Sequence, residues 1–215
     1  MSEDRSARED RTAALAAFWN ARYAGDDYAY GTEPNDFLVA QAALLPAGLP
    51  VLCLADGEGR NGVWLAGRGF DVTSIDIAQQ GLDKAQALAK RAGVRLRTLR
   101  ADLTRHELGE NHWGAIVSIF LHLPQRARAA LLARCLRALA PGGVFVFEAY
   151  GKRQPEYGTG GPPEPELLAR LDDVIDELAG CEIVHRFDGV RAVHEGAHHS
   201  GNAHVVQIVA RKPSG

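Results

Sequence analysis

Cysteine is scarce in this chain: Cys53, Cys135 and Cys181 are scattered through 215 residues. So few, so spaced, form neither a disulfide framework nor a cysteine zinc site. A basic excess is missing as well, since 24 Lys and Arg face 27 Asp and Glu, a formal charge of −3. That balance argues against a nucleic-acid partner. No apolar run approaches the roughly 18 residues of a membrane span. The first eleven residues hold seven charged ones and no apolar centre, so they do not read as a secretory signal. No internal repeat is visible. What is present is 46% apolar and 24% charged residues, a composition suited to one domain with a full core. The expectation is a cytoplasmic protein, monomeric or a weak homodimer, with neither nucleic acid nor membrane as partner.

Residues 1–11 read as a flexible charged tail. Residues 12–48 read as an N-terminal helical cover: Thr12 caps a helix to about Tyr23, and Asn35 caps a second ending near Leu45. The main domain, 49–215, then alternates. Strand candidates are Val51–Ala55, Phe70–Ile77, Val94–Arg100, Gly114–Phe120 and Gly143–Ala149. Helices are expected over Asn61–Arg68, Gln79–Ala92, Gln125–Ala140 and Glu164–Leu178. The pattern predicts an α/β fold with a doubly wound, mostly parallel sheet of seven strands and helices on both faces. Two last strands, Glu182–Val193 and Ala203–Arg211, are joined too closely for a parallel crossover, so they form an antiparallel hairpin. Tyr150 to Pro165, with four Gly and four Pro in sixteen residues, is a loop on the ligand-binding edge of such a sheet.

Gly57-Glu58-Gly59-Arg60-Asn61-Gly62 fits GxGxxG between a strand and a helix, where glycine lets backbone approach a ligand closely. Asp76, seventeen positions after Gly59, ends the next strand and suits both hydroxyls of a ribose. These two features alone do not separate a nicotinamide dinucleotide from another adenosine cofactor. Ala101-Asp102-Leu103 after the third strand, Pro141-Gly142-Gly143 before the fifth, and the terminal hairpin weigh against an NAD-dependent oxidoreductase.

The order of VLCLADGEGRN, SIDIA, ADL, IVSIFLHLP and LAPGGVFVFEAY resembles the class I S-adenosylmethionine-dependent methyltransferases. The flanking Phe18-Trp19-Asn20, Tyr30-Gly31-Thr32-Glu33-Pro34-Asn35, Tyr157 with Thr159-Gly160-Gly161-Pro162, and Glu195-Gly196 with His199-Ser200-Gly201 resemble a small bacterial branch. That branch is similar to tellurite-resistance and thiopurine methyltransferases. The resemblance implies that Ala55, Asp56, Gly57, Gly59 and Asn61 hold the methionine part of the cofactor. It puts Asp76 on the ribose, Ile77 beside the adenine, Asp102 and Leu103 at the adenine edge, and Ser118 to Phe120 beside the methyl. One departure stands out. The strand-end acid common in the family falls on Cys53, and the first turn glycine on Ala55. Asp56 or Glu58 would then substitute electrostatically.

Methyl transfer from a sulfonium needs alignment and, for a protonated acceptor, a base. The candidates are His122, just past the fourth strand, and Glu195 and His199 on the hairpin. Tyr23, Tyr30, Phe120 and Tyr157 are candidates to cover the acceptor, a small molecule whose soft atom (thiol sulfur, or a selenium or tellurium oxyanion) the resemblance favours. A non-catalytic cofactor-binding module is the alternative. The more conservative expectations are that His122 caps or packs at a helix start, that Cys53 is buried and inert, and that Arg126, Arg128, Arg134 and Arg137 form a solvated face. No metal is expected from His194, His198, His199 and His204, because strand alternation separates His194 from Glu195.

Overall fold

The computed structural model describes residues 2–196 and 199–215, with side chains from Glu9 onward; His198 lies outside the described residues. Seven strands form one sheet: β1 (Val51–Leu54), β2 (Val72–Asp76), β3 (Arg97–Arg100), β4 (Trp113–Ile119), β5 (Leu139–Tyr150), β6 (Glu182–Glu195) and β7 (His199–Arg211). Their order is β3-β2-β1-β4-β5-β7-β6. The first five are parallel, whereas β7 runs antiparallel between β5 and β6. The sheet thus reverses its winding between β1 and β4, which places a ligand crevice at the carboxyl ends of those strands.

Strands buried on both faces need apolar side chains at every position, and β1 has them. Leu52 and Leu54 enter a core with Ile116, Phe145, Phe147, Leu131 and Val174. Val51 and Cys53 point the other way, among Leu38, Val63, Ala85, Val117 and Val146. Helices α2 (Asp36–Gln41), α3 (Arg60–Gly67) and α4 (Gln79–Ala92) cover that second face, and α5 (Gln125–Ala138) and α6 (Leu171–Glu177) the first. The span of α4 is as the periodicity predicts. Lys90 and Arg91 sit in its last turn and Gly93, at φ 69°, closes it.

Several boundaries and one expected solvated face differ from the sequence expectation. Helix α1 runs Ser2–Arg22, starting well before Thr12. Five of residues 3–9 (Glu3, Arg5, Ala7, Arg8 and Glu9) are good helix formers, and the Thr12 hydroxyl donates to Asp102 instead of capping. Strand β5 starts at Leu139, because Leu139 pairs with Trp113 across an irregularity and Gly142 bonds to Lys212. A Pro-Gly-Gly run signals a turn, and tertiary pairing overrides it. The helix expected from Glu164 is interrupted. Pro165–Leu167 is a 3-10 turn, after which Ala169 donates to the Tyr150 carbonyl and so leaves helical geometry before α6. The arginines of α5 are not all solvated: Arg128 is buried and bidentate on Glu177, and Arg134 donates to the Leu103 carbonyl.

Candidate active site

The turn after β1 is built for close approach. Gly57 and Gly59 adopt φ 53° and 85°, conformations open to glycine at little cost. A methyl group on Gly59 would run into Ala85 of α4, and one on Gly57 into the Tyr23 hydroxyl. Asp76, at the end of β2, fastens the turn. Its Oδ2 accepts from Gly57 N at 2.9 Å and its Oδ1 from Ala78 N at 2.8 Å. Burial pushes the Asp76 carboxyl up, and those amides pull it part of the way back. Ala55 occupies φ 48° although it carries a Cβ. Asp56 turns inward: its Oδ2 accepts from Ser74 Oγ at 2.5 Å and Gly62 N at 3.1 Å, and burial raises its pKa to about 6.

The segment after α1 lies as a strap along this edge. Trp19 stacks on Tyr23 at 5.7 Å, and Tyr23 contacts Tyr30 at 6.4 Å. Lys84 of α4 staples the strap, donating to the carbonyls of Gly25 at 2.8 Å and Asp27 at 2.6 Å. The same ammonium lies 2.6 Å from Glu58 Oε1. Within α1, Thr12 donates to Asp102 Oδ2 at 2.8 Å. Burial raises the Asp102 carboxyl, but bonds from Thr104 and Thr12 outweigh it and hold the group below its ordinary value.

Beside the turn, rings converge. Phe120 follows β4 at φ 55°, a left-handed geometry that a bulky side chain adopts only under constraint. Its amide donates to the Glu148 carbonyl at 2.7 Å, which supplies that constraint. Phe120 contacts Tyr150 at 4.7 Å and His199 at 5.0 Å. His122 stacks on Tyr150 at 5.4 Å with the planes 7° apart, and Tyr30 meets His199 at 4.7 Å. The Tyr150 hydroxyl, both His122 nitrogens and His199 Nδ1 are buried without a hydrogen-bond partner among the described residues. Burial, reinforced by neighbouring His199, lowers the His122 pKa to about 3, so its ring is neutral in ordinary buffers. Burial also drives the Tyr150 phenol well above its usual range.

Charged groups form the floor. Glu195 accepts from Arg60 Nη2 at 2.5 Å and Asn35 Nδ2 at 2.7 Å, and His199 Nδ1 lies 3.8 Å away. Burial would raise the Glu195 carboxyl, but nearby His199 and its bonds to Arg60 and Asn35 overcome that and bring it to about 2. Glu148 takes both arms of Arg191 at 2.7 and 2.8 Å, with Asn35 and Gln207 completing it. An ionised carboxylate so fully paired is a poor proton acceptor.

Residues 51–143 match the family described as a methyltransferase domain. An uncharacterized Mycobacterium tuberculosis protein is 29% identical across 91% of this chain and 80% of its own length. The structure described as "Conversion of a Disulfide Bond into a Thioacetal Group during Echinomycin Biosynthesis" superposes with TM-score 0.75 at 20% identity, covering 94% of this chain and 92% of that one. TehB from Haemophilus influenzae gives 0.68 at 20% identity, covering 81% of this chain and 61% of that one. Among the described residues no helix is long and apolar enough to cross a membrane.

The residues singled out from the sequence divide into groups. Gly57, Gly59 and Asp76 meet at the turn, and half-buried Ile77 follows Asp76 on the same edge. Asp102 stands at the neighbouring strand end, but Leu103 points into the core. Asn61 is engaged elsewhere, its Oδ1 accepting from Asn35 N at 2.9 Å, and Ser118 is buried within β4. Tyr23 lies over the turn, whereas Tyr30, Phe120, His122 and His199 share the ring cluster. Tyr157 lies with Arg153, which donates to its hydroxyl at 3.1 Å. His204 pairs with Asp188 at 2.9 Å. Sequence reasoning missed Tyr150, Glu148, Arg191 and Lys84. Tyr150 had a signal: it is an aromatic at the carboxyl end of an inner strand, the edge where ligands bind.

Proposed function

We propose that the protein transfers a methyl group from S-adenosylmethionine to a small molecule held among Tyr30, Phe120, His122, Tyr150 and His199. One juxtaposition carries this reading. The bare glycine turn with Asp76 opens on the same sheet edge as a buried ring cluster whose polar atoms lack partners. The residues fit the cofactor. Asp76 uses one acceptor site on each oxygen for the turn, which leaves lone pairs for two ribose hydroxyls. Asp102 stands one strand further out, suited to an exocyclic amine. The Gly57–Gly59 backbone has no side chain to obstruct the thioether end.

When bound, S-adenosylmethionine supplies an electrophilic methyl and departs as S-adenosylhomocysteine. The chain's own residues align the acceptor and exclude water. Phe120 and Tyr150 present ring surface, and the Tyr150 hydroxyl and His199 Nδ1 offer hydrogen bonds. Neutral His122 orients the acceptor atom and is too weak a base to deprotonate an alcohol. Chemistry with little help from a base favours a soft nucleophile, a thiol sulfur ahead of a selenium or tellurium oxyanion. Arg60 and Arg191 are tied to Glu195 and Glu148, so neither is at hand for an oxyanion.

Calorimetric titration with S-adenosylhomocysteine tests the cofactor half. Micromolar binding is expected, and Asp76→Ala should weaken it by about 1–3 kcal/mol through a lost charge-assisted contact. Unchanged affinity in Asp76→Ala, or binding of NAD instead, would sink the assignment. His122→Ala should lower turnover of a thiol acceptor while sparing cofactor affinity. Binding without turnover of any acceptor would leave a cofactor-binding module.

A further inference from the structure

The sheet ends in a strand with an open edge. β6 is outermost and pairs with β7 alone, from Glu182 to Glu195. Among the described residues, 182–195 make no backbone–backbone bond outside that ladder. A strand of 14 residues therefore presents a row of N–H and C=O groups with no partner strand. Such an edge is a template for another strand unless charges or a bulge blunt it. Three large apolar side chains are also left exposed along it: Val184, Phe187 and Val190, at 37%, 36% and 41%.

The charges on this edge do not blunt it against a copy of itself. Arg186 and Asp188 flank Phe187 and share one face of the sheet, opposite Ile208 and Val206 of β7. Arg186 is exposed, and its side chain has no partner among the described residues. Asp188 is exposed as well, with Oδ1 engaged 2.9 Å from His204 Nε2. Consider two antiparallel copies related by a two-fold axis through Phe187. Arg186 of each copy then falls against Asp188 of the other, Phe187 against Phe187, and Val184 against Val190. Cross-strand pairs of opposite charge or of apolar groups stabilise a ladder, and like charges oppose it. Moving the axis one residue either way sets Asp188 on Asp188 or Arg186 on Arg186. The strand is thus self-complementary in one register. The irregularity between Ile183 and His185 ends the regular edge just beyond that centre, so the pairing is short.

We propose that the outer edge of β6 is a homodimer interface, where a second copy of the chain adds antiparallel with Phe187 on the two-fold axis. The two seven-stranded sheets then run on as one. None of these side chains belongs to the glycine turn or the ring cluster, so the interface stands whether or not the cofactor reading does.

Sedimentation velocity of the full chain over a concentration series reads the association. A dimer with a dissociation constant on the order of 10 µM is expected, in keeping with a small interface. Arg186→Asp puts like charges at both crossings and should weaken it about tenfold or more. Register is read separately in a Cys181→Ser background, by mild oxidation of Phe187→Cys and of Val190→Cys. Opposed residues at the axis have Cα atoms about 4.5–5.5 Å apart, within disulfide reach, so Phe187→Cys should link into a covalent dimer. The two copies of Val190→Cys stand about 20 Å apart along the strands and should not link. A chain that stays monomeric at about 500 µM would overturn the inference. So would Arg186→Asp associating as tightly as the parent, or Val190→Cys linking as readily as Phe187→Cys.

Discussion

At the scale of single residues, the site is marked by backbone conformations that its side chains do not favour. Ala55 and Phe120 both sit at positive φ, one on each side of the crevice. A Cβ in the left-handed region costs roughly 1–2 kcal/mol, whereas glycine adopts it freely. Replacing Ala55 by Gly also loosens the unfolded chain, which returns about 0.4–1 kcal/mol of that gain. Ala55→Gly should therefore raise stability by about 1 kcal/mol, read as a higher urea midpoint at unchanged slope. A lower midpoint would mean that the packing of Ala55 against the Leu52 core outweighs the strain. Glycines and strand-end acids are legible in a sequence because few other residues satisfy those positions. Asp56 and Asn61 were harder, since a polar side chain beside a turn can face a ligand or face inward. Here both face inward, toward Ser74 and toward Asn35.

At the scale of elements, Asn35 joins more parts than any other residue of the site. Its Oδ1 caps α2 by accepting from Leu38 N at 2.9 Å. Its Nδ2 bridges Glu148 of β5 and Glu195 of β6 at 2.6 and 2.7 Å. The capping role follows from the sequence, because Asn before an apolar run is a helix start. The bridge does not, since both carboxylates lie more than a hundred positions away. Losing the cap costs about 1 kcal/mol, and stripping a donor from two buried carboxylates adds about 1–3 kcal/mol. Asn35→Ala should thus lose about 2–4 kcal/mol in urea unfolding. Asn35→Asp, which preserves the cap but adds a third buried anion, should fare no better. A loss confined to 1 kcal/mol in Asn35→Ala would show that the bridge contributes little. The strands were legible for a related reason: alternating burial on two faces forces apolar runs, whereas β5 and α6 were misjudged where Pro and Gly gave local signals that long-range pairing overrode.

Across the whole molecule, two buried carboxylates tilt stability in opposite directions with pH. Glu195 falls from an ordinary 4.5 to about 2, so its contribution is present above pH 4.5 and drains away as pH drops toward 2. Asp56 rises from 3.8 to about 6, so its ionisation destabilises the fold above pH 6, and that cost is relieved as pH falls toward 3.8. Each shift corresponds to about 3 kcal/mol. Together they place the maximum from these two groups between pH 4 and 5, below neutrality. Glu195→Gln should unfold about 3–5 kcal/mol more easily at pH 7, because Arg60 is left buried without its anion. Its stability should then change less between pH 4.5 and 2 than that of the unaltered chain. Asp56→Asn should flatten the opposite limb, between pH 4 and 6, and leave the acid limb intact. Urea midpoints across that range would separate the two groups. A Glu195→Gln variant as steep below pH 4.5 as the parent would show that its pairing with Arg60, and hence the tie between the glycine turn and the hairpin, is not what holds the acid-side fold.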